Sequence, residues 1–148
     1  MRKQLYTAVS AALEAANIGI RHIDLWNENT DYLEQEMAWG RPAVFVEFDD
    51  IEWQAVKDQT LRCRSTFRLH IVTDWNTAAD SLSAFDLSEQ VQRAVEAIGS
   101  TERFGNIRLA GSLTNHNHED LLETTDIYQY TGVRDLSAIE PDETTEQN

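Results

Sequence analysis

Apolar residues first recur at helical spacing. Leu5, Val9, Ala12, Leu13 and Ala16 form one stripe, which predicts a helix over Lys3–Ala16. Asn17 and Gly19 follow it and supply a stop, as residues that tolerate left-handed backbone commonly do. Ile20–Trp26 is short and rich in branched side chains, so it reads as a strand closed by Asn27-Glu28-Asn29. Asp31 with Glu34 three residues on has the spacing of a capping box for a short helix, which Gly40-Arg41-Pro42 ends. From Ala43 the period drops to two. Val44, Val46 and Phe48 fall on one face, and Ala43, Phe45 and Glu47 on the other. Asp49-Asp50 marks a turn, Ile51–Val56 predicts a second strand, and Lys57-Asp58-Gln59 breaks it.

Leu61–Thr73 is the longest alternating segment. Cys63, Phe67, Leu69 and Ile71 share one face, while Arg62, Arg64, Thr66, Arg68 and His70 share the other. Asp86, with Glu89 three residues later, then predicts a helix start. Leu87, Val91, Ala94, Val95 and Ile98 form its buried stripe, Gly99 is expected at the C′ position, and Leu82 and Phe85 either extend the helix backwards or form a preceding turn. Ile107–Leu113 and Asp126–Arg134 read as strands, with the polar Thr114–Thr125 between them as a hairpin arm or loop. From Ser137 the chain turns acidic and loses its aromatics. The expected organisation is one domain over residues 1–136 and a disordered acidic tail over 137–148. Helix, strands, helix, strands predicts an α+β fold of two layers, a mainly antiparallel sheet with the helices on one face.

Length and composition narrow the class. A chain of 148 residues with 41% apolar content and four tryptophans holds a core without metal or disulfide. A lone Cys63, no long apolar run and no signal-peptide pattern predict a soluble protein of a reducing compartment. Twelve Lys and Arg against 26 Asp and Glu give −14. That charge argues against a sequence-specific nucleic-acid binder and against an anionic membrane surface. Any oligomer must be held by specific contacts.

Candidate chemistry is sparse. His116-Asn117-His118-Glu119-Asp120 puts two imidazoles on one side of an extended stretch, yet a zinc site needs a third ligand and usually a fourth, so a solvated turn is the expected reading. Glu47, Asp49, Asp50 and Glu52 cluster at a strand end, where paired carboxylates can hold a cation or move protons, but 26 acids in 148 residues make such clusters expected. Cys63 lies on an apolar face and reads as core. No nucleophile elbow and no phosphate loop is present. The expectation is no catalytic residue, no metal and no cofactor.

The arginines offer more. Arg62, Arg64 and Arg68 stand on one side of one strand, either paired with acids such as Glu47 or Glu52, or free to meet the acidic surface of another subunit. Trp26, Trp39, Trp53 and Trp75 all fall near strand ends or loops, where a ring caps a core or anchors an interface. The interface set expected from these patterns is Arg62, Arg64, Arg68, Trp53, Trp75 and Trp39.

The order of elements resembles a known family. The N-terminal helix of Leu5, Val9 and Leu13 leads to Pro42-Ala43-Val44-Phe45-Val46-Glu47-Phe48, and then to the strand ending Phe67-Arg68-Leu69-His70-Ile71-Val72-Thr73-Asp74. A long helix after Asp86 and a final Tyr128-Gln129-Tyr130-Thr131-Gly132-Val133 complete the pattern. Over residues 1–136 this resembles the tail terminator, or tail-completion, proteins of long-tailed phages and prophages. The resemblance implies a structural protein that assembles with itself into a ring, usually a hexamer, on the tail tube protein. The ring ends tube polymerisation and presents a surface to the head-completion protein, in the host cytoplasm during assembly and then in the virion tail. It implies no catalytic residue and no cofactor. A head–tail joining or neck protein, a monomeric binding adaptor and a metal-dependent hydrolase around His116 and His118 are the alternatives.

Overall fold

The computed structural model describes residues 1–27, 39–75, 78–115 and 121–138. Leu5, Val9 and Leu13 become the fully buried stripe of helix α1 (Arg2–Ala16), and Asn17 ends it in left-handed backbone at φ 50°. Full burial of each such side chain stabilises the fold by about 1.5–3 kcal/mol. A single sheet follows, built from β1 (His22–Leu25), β2 (Ala43–Phe48), β3 (Gln54–Lys57) and β4 (Thr60–Asp74). Helix α2 (Ala78–Glu96) intervenes before β5 (Phe104–Asn115) and β6 (Leu121–Asp135), and a 3-10 turn (Leu136–Ala138) closes the described chain. The strands lie in the order β1-β2-β4-β6-β5, with β3 paired to β4 off that path. All pairings are antiparallel except β1 with β2. The architecture is α+β, as the pattern predicts.

The spine of the sheet is the β4–β6 ladder, in continuous register from Thr60↔Asp135 to Asp74↔Leu121. Because side chains alternate, this register puts Phe67 beside Tyr128 on the helix-covered face, with rings stacked 5.3 Å apart. Leu5, Val9 and Leu13 of α1 and Leu87, Val91 and Val95 of α2 pack there against Val44, Val46, Phe67, Leu69 and Ile71. Two serine hydroxyls, Ser88 of α2 and Ser112 of β5, donate to the buried carboxylate of Asp126, which satisfies it at the helix–sheet seam.

Several boundaries differ from the expectation. Helix α2 begins at Ala78, so Asp86 is an exposed residue of its interior and no cap. Ala84, one turn before Leu87, is buried and carries the stripe upstream, while Leu82 and Phe85 stay exposed within the helix. Gly99 is not in positive-φ backbone; the bends that need it are at Asn17, Gly19, Gln59 and Asn106. The expected strand Ile51–Val56 shrinks to Gln54–Lys57, every residue of it exposed, while Ile51 and Trp53 turn toward the core. Of the two readings for Thr114–Thr125, the hairpin arm is the one seen in its described residues. β5 runs to Asn115, β6 begins at Leu121, and Leu121–Asp126 is buried throughout. Polarity alone leaves the loop open; the strand forms because Glu123, Thr125 and Asp126 are buried with hydrogen-bond partners. The expected helix from Asp31, the His116–Asp120 motif and the tail beyond Ala138 lie outside the described residues.

The face away from the helices is not simply solvated. Trp39, Ala43, Phe45, Val72 and Leu121 form a second, smaller core there, with Trp26 packed against it.

Candidate functional site

Arg62, Arg64 and Arg68 do share the face away from the helices, because β4 alternates and pairs them with Val133, Thr131 and Ile127 of β6. Arg108 of β5, opposite Gln129, joins the same face. Only one of the four is tied down. Arg68 donates through Nε to Asp49 at 3.1 Å, and Thr66 donates to the same carboxylate at 2.5 Å. The cross-strand partner expected for this row, Glu47, is turned to His70 instead. Arg62, Arg64 and Arg108 are exposed and have no ion pair among the described residues. Between Arg64 and Arg108 lies a depression of about 320 Å³, lined also by Asn106, Gln129, Tyr130 and Thr131. The bulge between Gly105 and Arg108, with Asn106 at φ 55°, opens it.

Beside this row sits a buried polar knot. His70 directs Nδ1 to Glu123 at 2.7 Å and Nε2 to Glu47 at 3.1 Å, with the Thr125 hydroxyl 3.3 Å from Nδ1. Its ring stacks on Trp26. Both nitrogens are engaged, so the ring has none left for a substrate or a metal. Two of the four acids at the end of β2 are likewise spent on structure: Glu47 faces His70, and Asp49 holds Arg68 and Thr66, while the carboxylates of Asp50 and Glu52 are exposed and Asp50 contributes its main-chain carbonyl as the acceptor for Ser65. Among the described residues no group of three or more His, Cys, Asp or Glu is placed to hold a metal ion. His116 and His118 lie outside those residues. Cys63 is buried against Gly132, and burial pushes its thiol pKa up, a backbone hydrogen bond from Gly132 opposing.

A second basic surface, which periodicity alone does not show, is assembled at the end of the sheet from distant parts of the chain. Arg2 and Lys3 of α1, Arg103 before β5 and Arg134 of β6 line a cleft of about 400 Å³, together with Ile51, Trp53 and Asp135. All four cations are exposed, and none has an ion pair among the described residues. Burial, then Arg103, Arg134 and Arg2, lower the pKa of the Met1 amine beside them. The backbone ties this end together, since Val133 N donates to Arg103 O. The tryptophans divide by position. Trp39 is 8% exposed and meets Phe45 edge-on at 5.1 Å, Trp53 is half-buried and lines the cleft, and Trp75 is 41% exposed at the end of β4.

Charge is unevenly shared. Ten of the 26 acidic residues fall outside the described segments and none of the 12 basic ones does, so the described body carries 16 acids against 12 bases. No helix among the described residues is long and apolar enough to cross a membrane.

Fold and surface together define an α+β scaffold that displays, on one sheet face and at one sheet end, exposed guanidiniums without an ion pair among the described residues. No protein-family model matches the chain, and no curated protein sequence does. A solved structure does match in fold. It is a chain of the "Virion of native gene transfer agent (GTA) particle", 12% identical, with a TM-score of 0.56, covering 86% of this chain and 93% of that one. The likeness is one of fold.

Proposed function

We propose that this protein is a structural component of a phage-type particle and works by assembly rather than by covalent chemistry. The observation that carries this is the fold shared over nearly the whole of both chains with a protein of a gene transfer agent virion. The finer reading is a tail terminator: a ring, six copies in the expected form, that caps the tail tube and joins it to the head. Three features support it. The arginine row of Arg62, Arg64 and Arg108 is exposed and has no ion pair among the described residues, in a chain of net charge −14, as a surface that meets an acidic neighbour requires. Glu47 and Asp49 of the β2 end are held in structural bonds. A strongly acidic ring also lets DNA pass without gripping it.

Light scattering coupled to size exclusion, run from micromolar to near-millimolar protein, tests the reading. A closed oligomer seen as an annulus by negative-stain microscopy is the expected result, and higher salt should weaken it if arginines hold it. A strict monomer that also fails to add to the ends of purified tail tubes would overturn it.

A further inference from the structure

We infer that a groove between α1 and the start of β5 receives a second copy of this chain, through the exposed apolar pair Leu82 and Phe85 on that copy's α2. It rests on the assembly reading, to which it adds an apolar contact. The groove has a volume of about 630 Å³. Thr7, Ala8 and Ala11 line it from one side of α1, where their small side chains leave the space open, and the buried ring of Phe104 lines it from the other. The far wall is fixed in place. Thr101 N donates to Phe104 O, the Thr101 hydroxyl accepts from Arg103 N and Phe104 N, and Val133 N of β6 donates to Arg103 O. Lys3, Arg103 and Glu102 stand exposed at the rim. Lys3 and Arg103 also line the basic cleft, where Arg2 and Arg134 add positive charge against Asp135. Four cations to two acids leave this end of the molecule positive.

Helix α2 carries the counterpart. Leu82, Phe85, Asp86 and Glu89 recur at i, i+3, i+4 and i+7, the spacing of one helical face, away from the buried stripe of Ala84, Leu87, Val91 and Val95. Leu82 is 64% exposed and Phe85 41%, and both acids are exposed. An apolar pair flanked by carboxylates thus matches an apolar groove flanked by cations. The two lie apart on the helix layer. Ala84 and Leu87 border a depression with Ile18, beyond the C-terminal end of α1, whereas the groove runs along the N-terminal half of that helix.

Charge selects the occupant. At a net −14, two copies repel wherever acidic surfaces face each other, so they meet best where the cations of one oppose the acids of the next. Groove on groove would oppose cations, and pair on pair would oppose acids, which disfavours a two-fold contact. Pair in groove is a head-to-tail contact, the kind that closes into a ring when the rotation allows. The groove also adjoins the arginine row. Phe104 lines it on the helix-covered face, while Asn106 and Arg108, two and four residues on, line the depression beside Arg64. A neighbour seated at this edge of the sheet meets both.

The test compares three full chains by sedimentation velocity at near-millimolar protein. Leu82→Gln with Phe85→Gln removes the apolar pair and keeps the groove. Ala11→Glu puts an acid into the groove and keeps the pair. All three positions are exposed, so circular dichroism and the thermal midpoint should match those of the unaltered chain. Each variant alone is expected to be monomeric where the unaltered chain forms a closed oligomer. Mixed in equal amounts, the variants share one intact contact and should form a two-subunit species and nothing larger. Oligomers that survive in either variant, or a mixture that stays monomeric, overturn the inference and leave assembly to other surfaces. An unaltered chain that stays monomeric overturns it too. If that chain still adds to the ends of purified tail tubes, the assembly reading stands without this contact, and if it does not, both fall.

Discussion

The imidazole of His70 lies parallel to the indole of Trp26, with ring centroids 3.7 Å apart and planes inclined by only 6°. His70 is in the centre of the sheet on β4, while Trp26 follows the edge strand β1, and its backbone N donates to Val46 O. The stack therefore clamps the edge of the sheet over a buried histidine that spans two carboxylates, Glu123 and Glu47. Stripping the indole would open that polar knot to water. Trp26→Ala is expected to destabilise by about 2–3 kcal/mol, below the usual range for a core aromatic because the indole is half-buried. Trp75→Ala, at an exposed position, should cost clearly less in the same urea titration. Equal effects of the two would show that the stack contributes nothing of its own.

Tyr128 makes the opposite prediction. Its hydroxyl is buried without a hydrogen-bond partner among the described residues. Burial first, and then the charges of Asp126 and Glu96, raise its pKa well above the ordinary tyrosine value. Tyr128→Phe keeps the stack on Phe67 and removes the unsatisfied group, so stability at pH 8 should be unchanged or higher by up to about 1–2 kcal/mol.

The same residue has a consequence at high pH. An unfolded tyrosine titrates near 10, whereas the folded one holds its proton beyond that. Above pH ~10 the folded state binds more protons than the unfolded one. Stability from this group is fully present below pH ~10 and falls as pH rises, by about 1.4 kcal/mol per unit. Chemical denaturation at pH 8 and pH 11 should show a larger loss for the unaltered chain than for Tyr128→Phe. Identical losses would remove Tyr128 from the alkaline transition.

Gln59 sits at φ 64° in the turn between β3 and β4, a conformation that costs a residue with a Cβ roughly 1 kcal/mol. Its carbonyl, which accepts from Leu136 N, is kept in Gln59→Gly. That substitution should raise thermal stability by about 0.5–1 kcal/mol, less the added unfolded-state entropy of glycine. A lowered midpoint would mean that the glutamine side chain holds the turn.

Charge reversal on the sheet face separates assembly from folding. Arg62→Glu with Arg64→Glu alters two exposed side chains, so the unfolding free energy should stay within about 0.5 kcal/mol for each. Self-association at near-millimolar protein, measured by sedimentation velocity, should be lost. Oligomers that survive the reversal would place the interface elsewhere.

Local periodicity determined a good part of this protein. Leu5, Val9 and Leu13 had to face one way on a helix, and Phe67, Leu69 and Ile71 one way on a strand, because 3.6 and 2.0 residues per repeat are properties of the backbone itself. The helix-covered core, the arginine row and the acidic excess are legible for the same reason. The tertiary structure alone decided what polar residues do. Composition leaves Leu121–Thr125 open between hairpin arm and loop, and it is buried strand because His70, 53 positions before Glu123 in the chain, supplies the hydrogen-bond partner. Asp126 depends likewise on Ser88 and Ser112, and the basic cleft on Arg2, Arg103 and Arg134 arriving from opposite ends of the sequence. Burial of a polar group is favourable only once its partner is in place, and no local pattern carries the address of a partner brought there by the fold.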